Sequence, residues 1–147
     1  MHVYRIITLL IILSFLCISC NKKEKTAEDW FDEGNGYYYE GRYADAIRCY
    51  NKAITLSPDD PSIWYKKGFA LYYQDKYTEA LQCYDKALDL DPKNINILTA
   101  RGALLFTQKS YKEAIKCYDR VLEIEPSNAA AKEMKGKALE ELSRKKQ

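Results

Sequence analysis

Histidine is almost missing from this 147-residue chain: His2, at the extreme N-terminus, is the single one. The commonest general base and neutral metal ligand is thereby absent from the rest of the sequence. Neither sign of charge is in excess, with 23 Lys and Arg against 21 Asp and Glu, a net of +2. Without a basic surplus there is no electrostatic footprint for a nucleic-acid partner. The one basic run, Arg144-Lys145-Lys146, reads as a solvated helix end, because isolated short runs rarely carry binding. No glycine-rich phosphate loop, nucleophile elbow or acidic pair in an apolar setting appears. Acidic residues fall at helix ends and on polar faces, where capping and i,i+4 pairing account for them. These absences point away from an enzyme, a cofactor, a metal site or a small-molecule substrate. Long apolar runs are missing too. The most apolar stretch covers residues 6–13, short of the roughly 20 residues a bilayer-spanning helix needs.

What stands at the N-terminus is an address. Arg5 precedes the apolar run, and no acidic residue occurs before Glu24, which is the layout of an export signal. Leu16-Cys17-Ile18-Ser19-Cys20 resembles a bacterial lipobox, in which a small residue precedes the cysteine that receives acyl chains such as palmitate. Ser19 fits, while Cys17 stands where leucine is usual. The resemblance implies a signal over residues 1–19, lipidation at Cys20 and a polar tether over residues 20–26. Several acyl chains would anchor the protein to the cell membrane or outer membrane on the exported side, at about 0.8 kcal/mol per buried CH₂. An uncleaved N-terminal signal anchor and a cleaved secretory signal are the alternatives. The lysines Lys22, Lys23 and Lys25 weigh against simple export, since positive charge tends to stay cytoplasmic.

The remainder is organised by a period of 34. Gly34, Gly68, Gly102 and Gly136 keep that step, as do Pro58, Pro92 and Pro126. So do Ala46, Ala80 and Ala114, then Tyr43, Tyr77 and Tyr111, then Tyr50, Tyr84 and Tyr118, and Cys49, Cys83 and Cys117. Fixed-period self-similarity marks a repeat architecture. Within one copy, Trp30, Gly34 and Tyr37 share one helical face. A turn follows at Glu40-Gly41-Arg42. A second helix then carries Ala46, Ile47, Tyr50, Ala53 and Ile54, and ends at Ser57-Pro58, where proline cannot continue it. Asp60 before Pro61, then Asn94 and Asn128, are N-cap candidates, and Thr26 with Asp29 forms a loose capping box. The glycines let paired helices approach closely. Leu98 and Lys132 replace Trp30 and Trp64, which predicts looser packing in the third copy.

Trp30, Gly34, Tyr37, Ala46, Tyr50, Ala53 and Pro58 closely resemble the signature of the tetratricopeptide repeat (TPR) family. Trp64, Gly68, Leu71, Ala80, Tyr84, Ala87 and Pro92 repeat it. Leu98, Gly102, Leu105, Ala114, Tyr118, Val121 and Pro126 repeat it less strictly, and Glu33, Lys67 and Arg101 stand where the family leucine is usual. The resemblance implies an all-α, right-handed superhelical solenoid: repeats over residues 27–60, 61–94 and 95–128, then a capping helix and basic tail over 129–147. Solenoid ends need a polar cap, and Lys132, Lys137, Glu140 and Glu141 would supply it.

The resemblance also implies a concave groove lined by the first helix of each copy, one residue beyond the packing stripe, about 100° around the helix. That stripe holds Phe31, Asn35 and Tyr38, with Glu28 at the entry. It continues through Tyr65, Phe69 and Tyr72, with Lys66 beside them, to Thr99, Ala103 and Phe106. Contiguous aromatics favour a protein or peptide partner, placed on the first two copies. One TPR subclass grips the C-terminal carboxylate of chaperones. At its five positions this chain has Phe31, Asn35, Lys66, Asn96 and Ala100, of which only Asn35 matches, so the chain is not read as that subclass. Cys49, Cys83 and Cys117 fall about 10 Å apart in stacked hairpins, too far for a disulfide or a shared zinc, and read as core thiols. The resulting expectation is a lipid-anchored adaptor in cell-envelope assembly. The alternative is a structural subunit that assembles through its ends or convex face.

Overall fold

The structure is a computed structural model, and it describes residues 24–145. The lipobox, Cys20 and the apolar run lie outside the described residues. Within them are seven helices: α1 (Ala27–Tyr39), α2 (Tyr43–Leu56), α3 (Pro61–Tyr72), α4 (Tyr77–Leu90), α5 (Ile95–Thr107), α6 (Tyr111–Ile124) and α7 (Ala129–Arg144). Successive helices pair as three hairpins, with α7 closing the last. The protein is thus all-α, as the period implied. No described helix is long and apolar enough to cross a membrane.

Each hairpin begins and turns by the same local chemistry. Thr26 and Asp29 complete a capping box: the Asp29 amide donates to Thr26 Oγ1 (3.1 Å), and the Thr26 amide to Asp29 Oδ2 (2.8 Å). Asp60 Oδ1 accepts from the Ser62 amide at 2.8 Å, and Asn128 Oδ1 from the Ala131 amide at 2.9 Å. Asn94 Oδ1 accepts from the amides of Asn96 and Ile97. These bonds satisfy amides that a helix start leaves open. Each first helix ends in a Schellman turn. The Gly41 amide donates to Tyr38 O and the Arg42 amide to Tyr37 O; the pairs recur at Asp75 and Lys76, and at Lys109 and Ser110. The turn needs a left-handed residue, and Gly41, Asp75 and Lys109 have φ of 74°, 59° and 60°.

Close approach within each hairpin depends on a missing Cβ. A methyl at Gly34, Gly68 or Gly102 would meet the ring of Tyr50, Tyr84 or Tyr118 at 2.7, 2.5 or 2.9 Å. Cys49 and Cys117 Cβ lie beside Gly34 and Gly102, 3.2 Å from such a methyl. The three thiols are free and buried, so cysteine here is a small apolar filler. Gly136 keeps the sequence register, but a methyl there would meet nothing within 4 Å, because no eighth helix follows among the described residues. Leu139 is half exposed for the same reason.

The third copy, expected to pack more loosely, does so in that α5 meets α4 and α6 less extensively than the corresponding earlier helices meet, yet its core is closed. Leu98 is completely buried, and Ile97, Leu104, Leu105 and Val121 join it in one cluster that runs from Leu71 to Ala131. Trp30 and Trp64 remain only half-buried. Lys25 and Lys52 ammonium groups lie 4.2 and 3.9 Å from the Trp30 ring centre, and the Trp64 indole donates to Pro58 O at 2.8 Å. Leucine is short enough to be enclosed completely at this position, whereas the indole keeps one edge in water. On α7, Ala131 and Ala138 face inward. Lys132, Lys137 and Glu140 are exposed and Glu141 half-buried, and Arg144 pairs with Glu140 and Glu141.

Candidate binding groove

The first helix of each hairpin carries the residues singled out for binding, but it does not use them alike. On α1, Asn35 Oδ1 accepts from the Tyr50 hydroxyl at 3.0 Å, so part of its hydrogen-bonding capacity serves the hairpin. Phe31 is half-buried, with its ring centre 5.9 Å from that of Tyr50. Tyr38 packs edge-on to Tyr39, Tyr43 and Tyr73. On α5, Phe106 lies against Tyr111, 5.3 Å between ring centres.

The α3 residues do more together. Tyr65 and Phe69 meet edge to face, 4.9 Å apart at 90°, a favoured aromatic geometry. Both reach the ring of Tyr84 from α4, at 6.1 and 5.9 Å. With Tyr72 they form one wall of an open depression of about 510 Å³. The facing wall is built of Ile95, Asn96, Thr99, Ala100 and Ala103 from α5, with Asn128 and Ala130 at the foot of α7. Large side chains on one helix thus oppose small ones on the next, and the difference in size opens the space. Of the eight groove candidates, Tyr65, Phe69 and Tyr72 line this depression. Phe31, Asn35, Tyr38 and Phe106 do not.

Lys66 lines a smaller neighbouring depression of about 250 Å³, with Ser62, Tyr65, Asn94, Asn96 and Ile97. Its ammonium is 5.9 Å from the Tyr38 ring centre. Sequence reasoning missed Tyr84, Ile95, Ala130 and Asn128 as lining residues. Tyr84 belongs to a second helix and reaches the groove floor only because Gly68 has no side chain to cover it; the Gly68–Tyr84 spacing was the available signal.

Desolvation raises the hydroxyl pKa of Tyr65 and Tyr84 above the ordinary tyrosine value. Both therefore face the groove as neutral hydroxyls at physiological pH. No acidic or basic side chain lines the larger depression. Among the described residues, no cluster of three or more His, Cys, Asp or Glu side chains is placed to hold a metal. The arrangement offers apolar and aromatic contact with a few neutral polar groups at its ends. That suits seating a side chain of another molecule.

A family model for the tetratricopeptide repeat matches residues 61–94 and 95–128, and a TPR repeat model matches residues 34–75. No curated protein sequence matches significantly. Among solved structures, the chain is similar to the first TPR domain of human RPAP3, with 30% identity and a TM-score of 0.75; the match covers 82% of this chain and 95% of that one. The first TPR of Spaghetti (RPAP3), bound to the HSP90 peptide SRMEEVD, matches at 30% identity and a TM-score of 0.76, over 80% of this chain and 94% of that one. The Arabidopsis OM64 TPR domain matches at 25% identity and a TM-score of 0.73, covering 78% and 95% respectively.

Proposed function

The chain belongs to the tetratricopeptide repeat family, and from that footing we propose that it is an adaptor that binds a protein segment in its groove, tethered to a membrane through Cys20 and serving cell-envelope assembly. The observation that carries the binding half is the depression between α3 and α5, where Tyr65, Phe69, Tyr72 and Tyr84 oppose Thr99, Ala100 and Ala103. Aromatic anchors in a pre-formed hollow are what interfaces use for their few strong contacts. A similar TPR domain holding a chaperone-derived peptide supports a peptide as the ligand class. The tether rests on the lipobox-like residues 16–20 and on the address-like sequence before them.

Crosslinked co-purification of the full chain from native membranes tests both halves. Wild type is expected to bring down a partner. Tyr65→Ala with Phe69→Ala should weaken recovery by more than about tenfold while helicity is kept, since each removes an aromatic anchor. Cys20→Ser should release the chain from the membrane fraction. Undiminished capture by the double variant would transfer the binding role to the ends or convex face.

A further inference from the structure

The edge of the solenoid formed by the turns after α1 and α3 carries a run of tyrosines in ring contact that the groove does not account for. Tyr39 closes α1 and Tyr73 follows α3, and they are 78% and 51% exposed. Tyr38 meets Tyr39, Tyr43 and Tyr73 edge-on, with ring centres 5.7, 5.6 and 5.9 Å apart, and Tyr72 meets Tyr73 edge-on at 5.5 Å. Tyr43 and Tyr73 differ from these pairs. Their rings lie parallel within 8°, with centres 4.9 Å apart. Tyr43 opens α2 and Tyr73 caps α3, so this stack joins the first hairpin to the second. The period would place the next such pair at Tyr77 and Thr107, where threonine ends it. The contact is therefore a property of this chain and not of the repeat.

We propose that Tyr43 and Tyr73 are a site of oxidative modification, at which a haem peroxidase supplied with hydrogen peroxide joins them as an intramolecular dityrosine. Each phenol gives up one electron and its hydroxyl proton, and one hydrogen peroxide is reduced to two waters. The two phenoxyl radicals carry spin on the ring carbons next to the hydroxyl-bearing carbon. A bond forms between one such carbon on each ring, and the hydrogens on those carbons then move to the oxygens and restore both hydroxyls. The pair thus loses two hydrogens. Holding the two rings in contact turns a bimolecular coupling into a unimolecular one, and the exposure of Tyr73 gives an oxidant access to the stack. The core tyrosines Tyr50, Tyr84 and Tyr118 are at most 1% exposed and lie out of its reach. The new bond ties α2 to the turn after α3 and constrains the unfolded chain between them, as a disulfide would. It fixes the first hairpin against the second whether or not the groove holds a peptide.

The test treats the full chain with a haem peroxidase and limiting hydrogen peroxide, dilute enough to suppress coupling between molecules, and digests the product with trypsin. A monomer lighter by two hydrogens, with dityrosine fluorescence, is expected. Its digest should contain one branched peptide that joins residues 43–48 to residues 68–76. Tyr43→Phe and Tyr73→Phe keep a ring in place and should each abolish that peptide, with helicity by circular dichroism unchanged. Tyr72 shares the second peptide, and Tyr72→Phe should leave the branch intact. The same treatment in urea should lose it, because only the folded chain brings the two rings together. The crosslinked monomer should also unfold at a higher urea concentration than the untreated chain. Branched peptides from other tyrosine pairs in equal yield would overturn the assignment, as would a branch that survives Tyr43→Phe. Coupling only between molecules, through Tyr39, would overturn it too, and so would the absence of any dityrosine.

Discussion

Gly68 and Gly136 occupy the same place in the repeat, yet they do opposite things. At Gly68 the missing Cβ admits the Tyr84 ring, which a methyl would meet at 2.5 Å. Two ring atoms would lie within 2.8 Å of the methyl and Tyr84 is only 1% exposed, so the ring must shift against its packing and Gly68→Ala should destabilise by about 2 kcal/mol, within the range for overpacked cores. At Gly136 nothing lies within 4 Å of the added methyl, and the residue sits inside α7. There glycine only lowers helix propensity, and Gly136→Ala should stabilise by up to about 1 kcal/mol. Urea unfolding followed by circular dichroism reads both changes; equal effects of like sign would refute the distinction. Both glycines were legible from the period of 34. Their difference was not, because it depends on whether another helix follows.

At the scale of the element, the turn after each first helix carries the most uneven chemistry in the repeat. The geometry is constant: two backbone bonds close each Schellman turn, and the residue between them is left-handed. The occupants are Gly41, Asp75 and Lys109. Only glycine takes this conformation without a clash of its Cβ, and aspartate tolerates it better than lysine. Lys109 is exposed and contributes only backbone to the turn, since its carbonyl accepts from the Lys145 ammonium at 3.3 Å. Lys109→Gly should therefore stabilise by about 0.5–1 kcal/mol, the relief of strain exceeding the added freedom of the unfolded chain. Gly41→Ala should destabilise by a similar amount. A midpoint unchanged by either substitution would show that the turn is not strained. Helix starts and stops were readable from Thr26, Asp60, Asn94, Asn128 and the prolines. The groove was readable in part: the aromatic wall on α3 followed from the stripe through Tyr65, Phe69 and Tyr72. The hollow beside it did not, because it arises from the pairing of that wall with the small residues of α5.

Across the whole molecule the repeat places an equivalent tyrosine in the core of each hairpin, with Tyr111 buried beside it in the third, and this gives the protein a defined response to alkali. Tyr50, Tyr84 and Tyr118 are almost wholly inaccessible, and desolvation raises the pKa of each hydroxyl, to about 12 for Tyr118. In the unfolded chain they titrate near 10. Above that pH the unfolded state gives up protons that the folded state keeps, so it binds fewer and stability falls as pH rises. The contribution of Tyr118 is complete below about pH 10 and is lost as pH climbs through about 12. Urea midpoints should thus hold steady from neutrality to about pH 10 and drop beyond it, with exposed rings such as Tyr39 ionising first and the last part of the tyrosinate absorbance appearing together with loss of helix. Among the described residues the Tyr118 hydroxyl has no hydrogen-bond partner, whereas that of Tyr50 is bonded to Asn35. Tyr118→Phe should accordingly cost little at neutral pH, since it leaves no protein group unpaired, and should flatten the alkaline decline. Tyr50→Phe should flatten it too, but at a neutral-pH cost of about 1 kcal/mol for the lost bond. Tyrosinate absorbance that rises fully while the helices stay intact would show that the three rings are open to solvent, and would remove this account of the core.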